Sequence, residues 1–584
     1  GGDEGYGPFI DVVFPYNNGD GIDFNTGTGA TYLGQKLDCS IATFNNQEKA
    51  THPFAKDTSG NLIVITGPTG SEGNKLVSCK LPFGSFVSSQ PEVKVTYNAT
   101  MSATADPSTA LTFRSRGGFQ FGEDPLDNWC CDAVKLNPSQ NTIDDWPGND
   151  VDPTLITTNK IMTPGTGSEF ETATGPNYVS QYTISVNIAD GQTIDSLQIT
   201  ENLDGRIQFM SVGSVSPSGS CSTTPSTTTP GGILVCDMGS VTGGSGSNDA
   251  SVTFSFYIPD KDVSSNDILT PNVGGCNGLI PNTISVTGNW GSTPQTASDT
   301  DSSDHEFYAC AAAAQKSKNI VNDVSPTGVS PGDTIEYSLN FQISDYFAVE
   351  DIILDDVFSD GQLWDATFTP TMTLTEHGSP TAGNMDAGSY TITRDTGTPG
   401  TSTGETTVVF NITNELSDRG LDIKILGGCV PAGGGTYDCS GTNNKGSTTG
   451  VITFRTVVQE EFTDAHLLAA NSGDSSVDQG DVLKNEVSTE AEVLDNATLV
   501  GTTKITKDAK GVSEVEVTLT RGTSSKSFYA INGNTAYTTP VHVEPADVIT
   551  YKLKYDLATS DFEDLYFTDY LPLPILDIDD PDAN

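Results

Sequence analysis

Pro331-Gly332-Asp333-Thr334-Ile335-Glu336-Tyr337, continuing through Ser338-Leu339-Asn340-Phe341-Gln342-Ile343, decides the fold. A Pro-Gly-Asp turn leads into a segment where Tyr337, Leu339, Phe341 and Ile343 alternate with polar residues. Alternation with period two after a turn marks a β-strand with one buried face. The block returns twice in altered wording. Pro176-Asn177-Tyr178-Val179-Ser180-Gln181-Tyr182 runs into Ile184, Val186 and Ile188, and Pro545-Ala546-Asp547-Val548-Ile549-Thr550-Tyr551 runs into Leu553, Tyr555 and Leu557. A second landmark follows each closing tyrosine: Thr200-Glu201-Asn202-Leu203, Asp355-Asp356-Val357-Phe358 and Thr568-Asp569-Tyr570-Leu571, with the acids 19, 19 and 18 residues on. These recurrences predict a tandem array of one β-module, an architecture suited to stalks and surfaces.

The rest of the chain agrees with that reading. Its 584 residues exceed what one core can organise, and about 150 residues per domain gives three or four units. Gly, Ser, Thr, Asn and Asp are abundant and no stretch sustains a 3.6-residue apolar period, so the fold class is all-β. A net charge of −49 repels phosphate backbones and anionic lipid, which excludes nucleic acid as a partner and favours an acidic, solvated coat. The chain opens at Gly1-Gly2-Asp3 without a basic-apolar leader and carries no apolar run of about 18 residues. Any signal peptide is therefore expected to have been removed, with no membrane insertion within these residues and any anchor outside them.

Ten cysteines without CxxC or Cys/His ligand spacing point to disulfides in an oxidising compartment rather than to zinc. Proximity near turn-rich segments pairs Cys39 with Cys79, Cys221 with Cys236, and Cys429 with Cys439. Adjacent Cys130 and Cys131 are expected to bond separately, with Cys276 and Cys310. Oxygen ligands at short spacing, Asp20 and Asp23, then Asp299 and Asp301, offer a weak calcium signal, since none completes a calcium-binding loop. Catalytic signatures are missing: there is no Gly-x-Ser-x-Gly elbow, no phosphate loop and no HExxH motif.

The blocks set the organisation. A lysine precedes each landmark tyrosine, Lys160, Lys316 and Lys526 at 22, 21 and 25 residues, and each is placed on the first strand of its module. Residues 158–313 then form a first repeat sandwich and 314–522 a second, lengthened by insertions that include 427–444. Residues 523–584 begin a third and leave it incomplete. Residues 1–157 lack the block but still alternate, at Val93, Val95 and Tyr97 for example, and form a separate N-terminal sandwich. Its loop Asp124-Pro125-Leu126-Asp127-Asn128-Trp129-Cys130-Cys131-Asp132 is the most idiosyncratic stretch and a candidate recognition surface.

Pro331 to Tyr337, then Asp356-Val357-Phe358, then Asn485-Glu486-Val487-Ser488 resemble the conserved repeat domain of bacterial surface proteins, whose members include isopeptide-forming fimbrial subunits. The usual form is PGDTVTY, VTDTLP and NTA. Phe567-Thr568-Asp569-Tyr570-Leu571-Pro572 is similar to the middle element and Asn282-Thr283-Ile284-Ser285 to the last. The resemblance covers roughly residues 158–584. It implies immunoglobulin-like sandwiches, secretion and a place on the cell surface. It also implies a lysine on the first strand condensing with an asparagine on the last beside a buried acid. The matching positions are Lys160, Glu201 and Asn282 in the first module, and Lys316, Asp356 and Asn485 in the second; the third offers Lys526 and Asp569.

The expected function is structural, without turnover chemistry: a secreted surface protein that forms or decorates a filament, fimbria or surface layer, as a homo-polymer joined end to end. The alternative is an adhesin that binds a glycan or protein ligand through residues 1–157.

Overall fold

The computed structural model describes residues 5–556 apart from 17–20, 33–34, 57–60, 83–84, 87–92, 103–104, 106–108, 122–140, 164–169, 247, 270–275, 277–278, 299–306, 325–327, 397–401, 464–475, 478–480, 506–512, 520–522, 537–540, 542 and 545. The protein is a run of β-sheets with one short α-helix, Ile412–Asp418, among the described residues.

In the first module, strand Ile156–Thr163 pairs with the Tyr182 strand, Ser180–Ile188, which pairs with Ala250–Tyr257 and through it with Gln208–Ser216. The facing sheet centres on the Glu201 strand, Thr193–Leu203, between Gly232–Thr242 and Thr283–Trp290. Tyr182, Ile184, Val186 and Ile188 point inward onto Ile194, Leu197, Ile199 and Leu203. The alternation that marks the strand is thus the inner face of one layer of an immunoglobulin-like sandwich.

The second module repeats the plan. Ala312–Asn322, the Tyr337 strand Thr334–Ile343, Thr448–Val458 and Thr371–Glu376 make one sheet. Thr406–Asn411, the Asp356 strand Ala348–Phe358 and the Asn485 strand Val482–Leu494 run side by side in the other. Even the irregularities recur. The Glu201 strand is bulged between Ile194 and Leu197 with Ser196 at φ +51°, and the Asp356 strand between Glu350 and Ile353 with Asp351 at φ +52°. Each left-handed residue lies five positions before the acid, so both strands are re-aimed at the same point.

Of the third module, a hairpin of Thr523–Ile531 and Ile549–Asp556 is described. Its register sets Lys526 opposite Leu553, two residues past Tyr551. Lys160 stands opposite Ile184 and Lys316 opposite Leu339, each likewise two past its tyrosine. Tyr182, Tyr337 and Tyr551 therefore occupy equivalent places.

The N-terminal region departs from a simple two-layer plan. Its central sheet runs Gly148–Val151, Leu111–Phe121, Gly5–Phe14, Lys75–Lys80, Asp38–Thr43, and both faces are covered. Phe9 and Val13 pack with Ile63, Ile65 and Trp146 on one side, while Val12 and Phe14 pack with Ile22 and Phe24 on the other. On the first side Asp11 is fully buried. Its carboxylate accepts from Arg116 Nε (3.0 Å) and Ser78 Oγ (2.6 Å), and His52 Nε2 lies 3.0 Å away. A buried carboxylate is tolerable only with such a shell.

The first two modules meet in a polar joint. The Tyr178 hydroxyl donates toward the carbonyls of Ile343 (2.5 Å) and Thr448 (2.8 Å) and accepts from the Thr448 N–H (3.0 Å). Asp345 accepts from the backbone and side-chain nitrogens of Asn177. The 427–444 insertion reaches back across the joint: Asn177 donates to Asn444, and the Tyr437 hydroxyl donates to Asp260.

Candidate functional site

Each of the first two modules buries a lysine, an acid and an asparagine at matching register. Lys160 Nζ lies 4.1 Å from the centre of the Tyr182 ring, and Lys316 Nζ 5.0 Å from Tyr337 and 5.8 Å from Phe454. The acids come from the facing sheet. Glu201 is opposite Ile284 and Asp356 opposite Val487. In both modules the asparagine, Asn282 or Asn485, stands two residues before that partner, and residues two apart share a face of a strand.

Both lysine side chains and both acid side chains are fully inaccessible, as is Asn485, and Asn282 is 2% exposed. Lys160 Nζ donates to Glu201 Oε1 at 2.6 Å, and Lys316 Nζ donates to Asp356 Oδ2. The second carboxyl oxygens, Glu201 Oε2 and Asp356 Oδ1, make no hydrogen bond of normal geometry. Nor do the amide nitrogen and oxygen of Asn282 or of Asn485. An unsatisfied buried polar group costs about 1–3 kcal/mol, so two orphaned carboxamides at the same place are a substantial penalty.

Burial dominates the electrostatics. It lifts the Glu201 carboxyl above its usual range, with Lys160 and then Asn282 opposing. It raises Asp356 to about 6 against the pull of Lys316 and, more weakly, of Asn485. It lowers Lys316 to about 8 although Asp356 opposes it. Both neighbouring asparagines bear on the acids without a well-formed hydrogen bond. Desolvation thus favours a neutral amine, which is a nucleophile, and a neutral acid, which is a proton donor.

Lys526 keeps the register and lies 4.3 Å over the Tyr551 ring, but on an exposed stretch of its hairpin. Asp569 lies outside the described residues.

The structure joins Cys39 to Cys79, Cys221 to Cys236 and Cys429 to Cys439, the last pinning the insertion at the joint. Cys276 and Cys310 differ from the expectation: they bond to each other, because an antiparallel bridge sets them face to face with Cα atoms 3.9 Å apart. Cys130, Cys131 and the whole 124–132 loop lie outside the described residues, as do Asp20, Asp299 and Asp301. Asp23 is an exposed residue of strand Ile22–Phe24. Among the described residues, the one grouping with metal-ligand proximity is Glu171, Cys276 and Cys310, whose sulfurs are committed to the disulfide and so are not thiolate ligands.

A polar contact beside the second site went unread in the sequence. Ile452, Phe454, Thr456 and Val458 alternate inward, and Thr456 is the one polar member. Its hydroxyl donates to Gln362 Oε1 at 3.1 Å, which also accepts from the Tyr337 hydroxyl at 2.7 Å. A lone threonine in an apolar alternation is the signal that marks it.

Fold and site define a class: an all-β protein of tandem immunoglobulin-like sandwiches with lysine, acid and asparagine buried between the sheets. No family model matches the chain, and no curated protein matches it in sequence. Solved structures similar to it include the C-terminal domain of the AgI/II polypeptide BspA of Streptococcus agalactiae, 8% identical, covering 62% of this chain and 100% of that one, TM-score 0.17. A backbone pilin of Streptococcus pyogenes is 11% identical over 70% of this chain and 76% of that one, TM-score 0.20. The collagen-binding domain of the Erysipelothrix rhusiopathiae surface protein RspB is 11% identical over 62% and 93%, TM-score 0.18.

Proposed function

We propose that the chain is a structural element of a cell surface whose sandwiches are stapled internally by Lys–Asn amide bonds, Lys160 to Asn282 and Lys316 to Asn485. The observation that carries this reading is the pair of orphaned buried carboxamides, each at the same offset from an acid that a lysine already engages. The neutral lysine amine attacks the carboxamide carbon while the protonated acid polarises its oxygen. The acid then relays a proton from the attacking nitrogen to the leaving one. The C–N bond to Nδ2 breaks, ammonia departs, and an amide links Nζ to Cγ.

Each bond would span the two layers of its sandwich. Load applied along the chain would then pass through covalent bonds rather than through strand pairing. Among the described residues, four disulfides add further covalent links. End-to-end copies present unlike faces, which extend into filaments without closing, and this favours a homo-polymer over a ring. The test is a proteolytic digest of the reduced protein: branched peptides joining Lys160 to Asn282 and Lys316 to Asn485 are expected. Recovery of all four residues only in linear peptides contradicts the reading.

A further inference from the structure

The two sites hold their asparagines in different ways. Asn485 lies inside its strand, Val482–Leu494, opposite Phe358 on one side and Val515 on the other. Asn282 lies one residue outside its strand, Thr283–Trp290, whose pairing with the Glu201 strand ends at Thr283 opposite Asn202. Among the described residues no ladder partner flanks it, and its carboxamide makes no hydrogen bond of normal geometry. Besides the strand that follows, what fixes Asn282 is the chain just before it.

That chain is clipped at two points to one short strand, Phe307–Cys310. Ile280 bridges Phe307, its N–H donating to the Phe307 carbonyl at 2.8 Å, and Cys276 both bridges and bonds covalently to Cys310. Pro281, with its fixed φ, is the one residue between Ile280 and Asn282, so the position of the bridge is passed on to the asparagine. The strand that receives the clip is itself firmly set. It pairs in parallel with Phe170–Ala173, and Phe307, Ala309 and Cys310 are completely buried. It also bears on the amine. The Phe307 ring lies 5.8 Å from that of Phe256, which stacks at 4.4 Å on Tyr182, and Lys160 Nζ sits 4.1 Å over Tyr182.

We infer that Cys276 and Cys310 are positioning residues for amide formation in the first module: their disulfide holds Asn282 where Lys160 attacks. This rests on the cross-link reading above. The disulfide touches no bond that forms or breaks in the condensation. It removes freedom from the segment that carries the carboxamide, and that is the freedom a near-attack arrangement has to lose. With the thiols reduced the covalent hold is gone and weaker contacts remain, the Ile280 bridge and the donation from Arg206 Nη2 to the Leu279 carbonyl at 3.4 Å. The first site thereby depends on thiol oxidation, whereas the second, held by two ladders, does not.

The experiment follows ammonia loss by mass in the full chain, diluted from denaturant after recovery in never-folded form, with peptide mapping to separate the modules. Glutathione disulfide is the oxidant: it takes two electrons and two protons from the paired thiols and leaves as two glutathione thiols. In Cys276→Ala/Cys310→Ala the first module should close at least about tenfold more slowly than in the wild type, the scale on which a poorly held reactant slows a reaction. The second should close at the wild-type rate in the same chains. Wild type diluted into dithiothreitol should slow likewise in the first module and recover when the oxidant replaces it, while the variant should not recover. Hydrogen exchange on strands Ser180–Ile188 and Thr193–Leu203, read before ammonia is lost, separates positioning from folding. Protection there should be the same in variant and wild type. Protection lost from those strands would make the disulfide a requirement for folding and overturn the inference. Equal rates for wild type and variant in the first module overturn it while leaving the cross-link intact. A wild-type chain that sheds no ammonia overturns the cross-link and this inference with it.

Discussion

Asp356 and Asn485 sit on adjacent antiparallel strands offset by two residues, with Val487 as the direct partner of the acid, so both side chains leave the same face of one sheet toward Lys316 on the other. Glu201 and Asn282 stand in the same relation through Ile284. Two modules that share little wording therefore aim three functional groups at one buried point.

The second reaction should have a flat-topped pH profile. The ion pair and the neutral pair hold the same number of protons, so the reactive form is available wherever the pair keeps one proton between its two members. Below about 6 Asp356 is protonated while Lys316 keeps its proton, and the amine is no longer a nucleophile. Above about 8 both groups are deprotonated and the acid is lost. Rates measured by quenching refolding samples from about pH 4 to about pH 10, which runs from the ordinary carboxylate range to the ordinary lysine range, should fall on both sides. A rate that rises steadily with pH would show that Asp356 takes no part.

Removing either acid should block its own module only. Glu201→Ala leaves Lys160 buried without its carboxylate, and Asp356→Ala does the same to Lys316. Each should retain one ammonia and lower the stability of its module by about 3–5 kcal/mol, the usual cost of leaving one charge of a buried pair uncompensated. Intact mass together with differential scanning calorimetry reads both effects. Loss of both bonds in either single variant would mean that the modules do not act independently.

The N-terminal region has its own weak point. Arg116→Met removes the guanidinium that donates to fully buried Asp11 and stacks 4.2 Å over Trp146. A loss of about 3–5 kcal/mol is expected, confined to residues 5–151. Hydrogen exchange should report it there and leave the repeat modules unchanged.

The joint should make the first two modules unfold as one unit. Tyr178→Phe removes the hydroxyl that engages Ile343 and Thr448, which should cost about 1–3 kcal/mol and split one calorimetric transition into two. Acidification should act in the opposite direction. Burial raises Asp345 from 3.8 to about 6, so the folded joint binds a proton more readily than the unfolded chain. The Asp345 contribution to stability is therefore fully present below 3.8 and lost as pH rises through 6. The two transitions of Tyr178→Phe should draw together as pH falls from 7 to 5, within about an order of magnitude in proton activity of that value.

What the sequence made legible was what is local. Alternation from Tyr182 and Tyr337 names the strands and their inner faces, because one buried face of a strand leaves a period of two in the wording. The acids were found by their fixed distance from those tyrosines, since strand length and sandwich thickness set that distance. Pairings that depend on chain segments far apart left no such mark. Tyr178 reaches Thr448 across 270 positions, and nothing near it in sequence announces a joint. Cys276 and Cys310 meet through an isolated bridge between separate segments, which spacing alone does not encode. The double-sided sheet of the N-terminal region was written in Ile10-Asp11-Val12-Val13-Phe14, an almost unbroken apolar run that suits burial on both faces. Asp11 interrupts it because Arg116, Ser78 and His52 await it there.

The central claim is that the first and second modules are each closed by a lysine–asparagine amide. Intact mass of the fully reduced chain tests it most directly, because reduction returns every disulfide hydrogen while an amide survives. The account predicts a mass about 34 Da below that of the sequence, one ammonia of about 17 Da for each module. A reduced mass equal to that of the sequence would contradict it.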